Sequence, residues 1–234
     1  GGGTVEAQLV GFAGEAVSSA GIASAEEAEA AAAAVRAADL RVVAVKASKR
    51  RVRPPPPFTT STLQQDAASR LGFGVQRTMA AAQRLYDGTH GQGLITYMRT
   101  DSVSVAKHAA EAARSLVAER YGERAAPSKP RHYTKKQKGA QEAHEAIRPT
   151  DVRRLPGTLA ARLPPDEARL YGLVWRRAVA SQAADALTET QSMEVTGGEG
   201  ESEVRLRATG SRVLEPGWHA VHDDAEGFPY RGQR

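Results

Sequence analysis

Four consecutive prolines, Pro54 to Pro57, constrain this chain more than any other feature. Each proline fixes φ and pushes its predecessor out of the helical region, so neither a helix nor a central strand can run through them. They read as a stiff extended spacer that marks a domain boundary; a polyproline segment is also the form that SH3-type domains bind. On the N-terminal side, Thr4 to Val10 and Arg41 to Val45 are rich in β-branched residues and read as strands. Between them, Ser24 with Glu27 has capping-box spacing and opens an alanine-rich helix to about Ala38, with Val35 and Leu40 as its apolar contacts.

Beyond the prolines the pattern turns helical. Ser61 with Gln64 supplies a second cap, for a helix that runs to Leu71. Gly72 and Gly74 break it, and Val75 to Tyr86 predicts another helix with Val75, Met79, Ala82 and Leu85 on one face. Helix, glycine turn and helix make a helix-turn-helix outline, which DNA-binding proteins share with many ordinary bundles. Ser104 caps a further helix to about Tyr121, stopped by Gly122, and Ala126 to Gly139 reads as a mobile Pro- and Lys-containing loop. A long helix from Asp166 to about Ala184 carries Leu170, Leu173, Val174 and Ala178 as a stripe, with Trp175 as an anchor. Thr188 to Val195, Ser202 to Ala208 and Gly217 to His222 then alternate like strands between Gly-rich turns. The simplest architecture is a helical domain inserted between two halves of one β module.

Chemistry concentrates in two segments. The first, Gly93 to Ser102, reads as a buried strand, in which residues two apart project to one face. Ile95, Tyr97, Arg99 and Asp101 then share a side, and Leu94, Thr96, Met98 and Thr100 the other. A phenol with an ordinary pKa of about 10 needs its developing oxyanion stabilised if it is to attack a phosphodiester. Arg99 is always charged and fork-shaped, which suits both that task and the phosphate. An ordinary amphipathic strand with a polar outer face presents the same alternation. The second segment, Gln141 to Thr150, places His144 and Arg148 four apart, on one face of a helical turn that Pro149 ends. A zinc-protease pattern would require histidine at position 148, where arginine stands, so that reading fails. His144 titrates near neutrality and can hydrogen-bond a phosphate or move a proton, or it can be structural; Glu142 and Glu145 read as structural.

Charge is distributed unevenly. The chain carries a net +5 over 234 residues with a pI near 9.6, but the stretch 120–154 alone holds ten Lys or Arg against four acids. It includes Lys135, Lys136 and Lys138, and a second cluster, Lys46, Lys49, Arg50, Arg51 and Arg53, contains no acid. Either is suited to tracking a phosphate backbone, and either can be a solvated loop. With no cysteine, disulfides, thiolate catalysis and cysteine-ligated zinc are excluded. No apolar run approaches the roughly 20 residues that span a bilayer, and no signal-peptide pattern opens the chain. We expect a cytoplasmic protein.

The string from Gly93 to Ser102 closely resembles the active-site signature of type IA DNA topoisomerases, and Gln141 to Thr150 resembles a second signature of the same family. The phrase Pro57 to Gln65 resembles the segment that precedes the active site in that family, and Met98 is similar to its bacterial topoisomerase I branch rather than to the topoisomerase III branch. The resemblance implies an α+β fold: a mostly helical, CAP-like helix-turn-helix domain carrying the active tyrosine, inserted into a β-rich arch domain. The expected divisions are 1–56 and 185–234 for the two halves of the arch and 57–184 for the helical domain. It further implies that Tyr97 becomes joined to a 5′ phosphate of a cut DNA strand, that Arg99 clamps the phosphate and that His144 belongs to the active-site network. Asp101, Arg148, Gln64, Lys135, Lys136 and Lys138 are the residues it suggests for DNA contact. The partner it implies is DNA, a single-stranded segment of a negatively supercoiled duplex, with a monomer expected to act on it at the bacterial nucleoid. Magnesium would be held by a Toprim domain whose acidic Asp-x-Asp motif is not found here, so this chain binds no metal itself. We therefore expect an internal part of a longer enzyme, inactive alone. A non-catalytic DNA-binding helix-turn-helix module is the alternative.

Overall fold

The computed structural model describes residues 4–18, 21–89, 91–134 and 145–224. Two compact units form: residues up to Arg51 together with Leu187–Leu214, and Val52–Ala186 together with the residues from Glu215 onward. The chain thus leaves the first unit beside the four prolines and re-enters it 135 residues later.

The first unit is built on a five-stranded sheet of order β2-β1-β5-β4-β3. Its strands are β1 (Gln8–Phe12), β2 (Glu15–Ala16), β3 (Arg41–Val52), β4 (Ala186–Gly197) and β5 (Val204–Glu215). Ala13 and Gly14 both take positive φ, the two-residue turn geometry that lets β1 and β2 pair antiparallel without splaying. β1 also pairs antiparallel with β5, with a register shift between Leu9 and Gly11. α1 (Ala25–Ala37) is capped by Ser24, whose hydroxyl accepts from the Glu27 N–H. It buries Ala31, while Leu40, expected as an apolar contact, is 41% exposed. β3 runs seven residues beyond the expected Val45, so Lys46, Lys49, Arg50 and Arg51 lie on an edge strand rather than in a loop.

The second unit holds the continuous hydrophobic cluster, which runs from Phe58 to Val221. At its centre α6 (Pro165–Ser181) is buried almost all round and packs against α3, α4, α5 and α7. The expected one-sided stripe is too narrow, because even Glu167 and Arg176 are buried here. Glu167 is held by Arg84, as a buried carboxylate must be. α2 (Thr60–Asp66) starts from Thr59 rather than Ser61: Thr59 and Thr62 exchange side chain to backbone bonds, which completes the capping box earlier than expected. It continues as a π-turn over Ala67–Leu71 and closes at Gly72 with φ +70°. α3 (Val75–Asp87) faces the core with Thr78, Ala81, Ala82 and Leu85, leaving Val75 59% exposed, so the apolar face is rotated from the expected one. α4 (Lys107–Tyr121) begins three residues after the expected Ser104 cap, and α5 (Pro156–Ala160) precedes α6.

Two further expectations fail within the helical unit. Gly217 to His222 is no strand: α7 (Trp218–His222) forms there, and the residues from Glu215 group with the helical unit, not with a second half of the β module. Gly217, at φ +51°, permits this, since a Cβ there would meet the Asp185 carbonyl. Nor is the start of the basic loop free. Arg131 bonds the Gln182 side chain, the Ala183 carbonyl and the Asp185 carboxylate, and the Tyr133 hydroxyl donates to the Ser181 carbonyl, burial pushing that phenol up to about 12. Arg131 and Tyr133 thus tie the loop to the end of α6, and among the described residues no helix is long and apolar enough to cross a membrane.

Candidate active site

Residues Gly93 to Asp101 form no strand ladder; one isolated bridge, Ile95 to Pro149, is their only sheet-like pairing among the described residues. They are nevertheless fixed from two sides. From one side, residues 145–150 run alongside: the Thr96 N–H donates to the Arg148 carbonyl, the Thr96 hydroxyl to the Ala146 carbonyl, and the Thr150 N–H to the Leu94 carbonyl. The Thr150 hydroxyl closes on the Gly93 carbonyl at 2.8 Å. From the other side Thr60, the first residue of α2, donates its hydroxyl to the Met98 carbonyl (2.7 Å) and accepts from the Thr100 N–H (2.9 Å), while its own N–H binds the Thr100 carbonyl. The Thr59–Thr62 run therefore caps a helix and clamps the tyrosine segment with the same four residues.

Between these clamps no regular element forms, yet burial alternates. Met98 and Thr100 are buried, whereas Tyr97, Arg99 and Asp101 are exposed. The two-residue period survives without a strand because inward anchors recur at every second position; only Ile95, expected beside Tyr97, turns into the core instead. Tyr97 and Arg99 line one open cleft of about 370 Å³, together with Tyr86, Ile95, Thr96, Thr100, Glu145 and Thr150. The Tyr97 ring meets the Tyr86 ring edge-on, with centroids 5.2 Å apart. A phenol and a guanidinium thus open onto the same solvent-filled space, an arrangement able to receive a phosphodiester.

Residues 145–150 carry no helix, so from Glu145 onward the expected helical turn does not form. Arg148 is buried, its guanidinium bonded to Glu145 at 2.6 Å and to the Pro149 carbonyl at 2.9 Å. It is turned into the protein and does not line the cleft. The other carboxylate oxygen of Glu145 accepts the Ala106 N–H at 2.7 Å, so this side chain serves as the missing cap of α4. Asp101 is exposed but outside the cleft lining, and Gln64 is half-buried on α2, also outside it. Lys135, Lys136, Lys138 and His144 lie outside the described residues, as does Glu142.

Sequence reasoning passed over Thr60, Thr96, Thr150 and Tyr86. The signal available was a run of hydroxyl residues beside each motif, but hydroxyls at helix starts are already explained by capping. The basic surplus also shrinks in three dimensions. Arg120 pairs with Asp224, Arg131 with Asp185 and Arg153 with Glu119, and all three carboxylates lie outside the stretch 120–154. The Glu119 carboxyl is held below its ordinary pKa by the bonded Arg153.

A family model described as DNA topoisomerase matches residues 4–229. The DNA topoisomerase 1 of Xylella fastidiosa is 46% identical over 192 residues, covering 80% of this chain and 23% of that protein. The Helicobacter pylori protein of the same name is 39% identical over 228 residues, 95% of this chain and 30% of the relative. The Mycolicibacterium smegmatis one is 48% identical over 186 residues, 79% of this chain and 19% of the relative. Among solved structures, full-length topoisomerase I from Thermotoga maritima superposes with a TM-score of 0.75 at 32% identity, covering 98% of this chain and 36% of that one. The chain spans roughly a fifth to a third of these relatives.

Proposed function

The chain belongs to the DNA topoisomerase family, and on that premise we propose that it carries the nucleophile of a type IA enzyme that relaxes negatively supercoiled DNA. The observation that carries this is the opening of Tyr97 and Arg99 into one cleft, on a segment whose backbone Thr60 and Thr150 hold. The Tyr97 oxygen attacks phosphorus, a bond from phosphorus to the tyrosine oxygen forms, and the bond to the 3′ oxygen breaks. The phenol gives up its proton, and the departing 3′ oxygen takes one to become a hydroxyl. Arg99 neutralises the non-bridging oxygens, a contribution of roughly 3 to 4 kcal/mol if it resembles one preorganised donor at an oxyanion site. The phosphotyrosine bond conserves the energy of the broken linkage, so after another strand passes the hydroxyl reverses the attack without ATP.

His144 belongs to this proposal as a proton-moving or phosphate-bonding group. Lys135, Lys136, Lys138, Gln64 and Asp101 belong to it as DNA contacts, and Arg148 as a residue that shapes the backbone beside Tyr97. The helical unit is proposed as the CAP-like, tyrosine-bearing domain between two arch halves, working as a monomer. Magnesium enters only as a group held by residues outside this chain. No step is routed through a metal.

The test replaces the matching segment of a longer relative with this chain, adds magnesium and labelled single-stranded DNA, and traps with denaturant. We expect a covalent adduct that Tyr97→Phe abolishes, and that Arg99→Ala abolishes while leaving DNA binding largely intact. An adduct surviving Tyr97→Phe overturns the assignment of the nucleophile. Tight binding without any adduct from the unaltered chain overturns the enzyme in favour of a DNA-binding module.

A further inference from the structure

We propose that Tyr86 is a positioning residue for the nucleophile, its ring pressed edge-on against Tyr97 so that the phenol is held in one orientation at the cleft; this rests on the proposed role of Tyr97. The Tyr97 side chain needs such a restraint. It is 46% exposed, and among the described residues its hydroxyl forms no hydrogen bond that would fix it. The backbone clamps hold the Cα atoms of the segment but leave the side-chain torsions free, so a half-exposed tyrosine would sample several rotamers. A ring against one face of it removes that freedom.

The contact is built in by two glycines. α3 ends at Asp87, and Gly88 takes φ +68°, reversing the chain. The segment then returns so closely that the Leu94 N–H donates to the Leu85 carbonyl at 2.7 Å. A Cβ on Gly93 would sit 2.6 Å from the Tyr86 carbonyl oxygen, and one on Gly88 would sit 2.7 Å from the Gly93 nitrogen. Only with hydrogen at both positions can the last turn of α3 lie backbone to backbone against the start of the tyrosine segment. That approach brings the Tyr86 ring, itself 40% exposed, to 5.2 Å from the Tyr97 ring at an interplanar angle of 63°. The geometry is the edge-to-face arrangement that ring quadrupoles favour. Tyr86 also lines the cleft, so it restrains the nucleophile from the space in which the phosphate would sit.

The test has two readouts. In the 234-residue chain itself, 3-fluorotyrosine at position 97 gives a fluorine resonance. Tyr86→Ala should move it to the value of a freely rotating, solvated tyrosine, while Tyr86→Phe should leave it in place. In the longer protein formed by splicing this chain into a relative, Tyr86→Ala should slow adduct formation at saturating DNA by roughly 3- to 10-fold, the range set by one edge-on aromatic pair. DNA affinity should be unchanged, and Tyr86→Phe should restore the rate. A loss of affinity with an unchanged saturated rate would make Tyr86 a base-stacking surface and overturn the proposal. So would a lowered melting temperature with an unchanged rate, or a phenylalanine variant as slow as alanine. No adduct from the unaltered protein overturns the role of Tyr97 itself, and is distinguished because the fluorine shift still reports the ring contact.

Discussion

Thr60→Val is the most exacting test of how the site is held. The Thr60 hydroxyl has one proton, shared between the Met98 carbonyl at 2.7 Å and the Thr100 carbonyl at 3.0 Å, and it accepts the Thr100 N–H at 2.9 Å. Valine keeps the shape and removes one donated and one accepted bond. At about 1 kcal/mol net for each, the two bonds contribute about 2 kcal/mol. Thr100 is only 8% exposed, so its N–H is left unsatisfied in the protein, which adds up to about 1 kcal/mol more. The Thr100 carbonyl keeps the Thr60 N–H and adds nothing. The expected loss is therefore about 2 to 3 kcal/mol. Urea unfolding followed by tryptophan fluorescence reads it from the right place, because the two tryptophans, Trp175 and Trp218, both belong to the helical unit. Thr60→Ser, which retains the hydroxyl, should recover most of the loss. A Thr60→Val protein within about 0.5 kcal/mol of the unaltered one would refute the clamp, since that is the scatter of surface substitutions.

Glu145→Ala should cost about 2 to 3 kcal/mol in the same assay, more than Arg148→Met, because it strands a buried guanidinium and uncaps α4, discounted since Glu145 itself is 34% exposed; equal costs would refute the asymmetry. Gly93→Ala should lose about 1 to 3 kcal/mol through overpacking against the Tyr86 carbonyl and should shift the Tyr97 ring resonance; an unshifted resonance would refute the close approach. His222 has its pKa lowered, chiefly by burial and also by Arg70, with Asp223 opposing. The unfolded chain therefore takes up the proton more readily, and this contribution to stability is present above pH of about 6.5 and is lost as pH falls towards the folded value. Stability between pH 7 and pH 5 should fall more steeply for the unaltered protein than for His222→Gln, and parallel curves would refute the burial argument.

Local rules were legible wherever a local cause was sufficient. Ser24 caps α1, Gly72 and Gly74 separate two helices, and the prolines stand where the chain passes from one unit to the other. Local rules failed where a distant partner supplied the cause. Ser104 does not cap α4 because Glu145, far along the chain, does. The tail from Gly217 alternates like a strand but is a helix, because the Trp218 N–H binds the Ala184 carbonyl and its indole the Val52 carbonyl. Arg131 and Arg153 read as surplus positive charge in the stretch 120–154, but folding sets Asp185 and Glu119, both outside it, beside them.

By itself the sequence determined the family and the pair of groups, Tyr97 and Arg99, that an extended backbone sets on one side; residue type and a two-residue period suffice for that. Only the tertiary structure decided how the pair is held, because no strand ladder forms. The restraint comes from Thr60 and Thr150 across long stretches of chain, and from a glycine-permitted contact that sets Tyr86 against Tyr97. Hydrogen bonds and ring contacts between residues remote in sequence leave no periodic trace in it, and so they become visible only once the chain has folded.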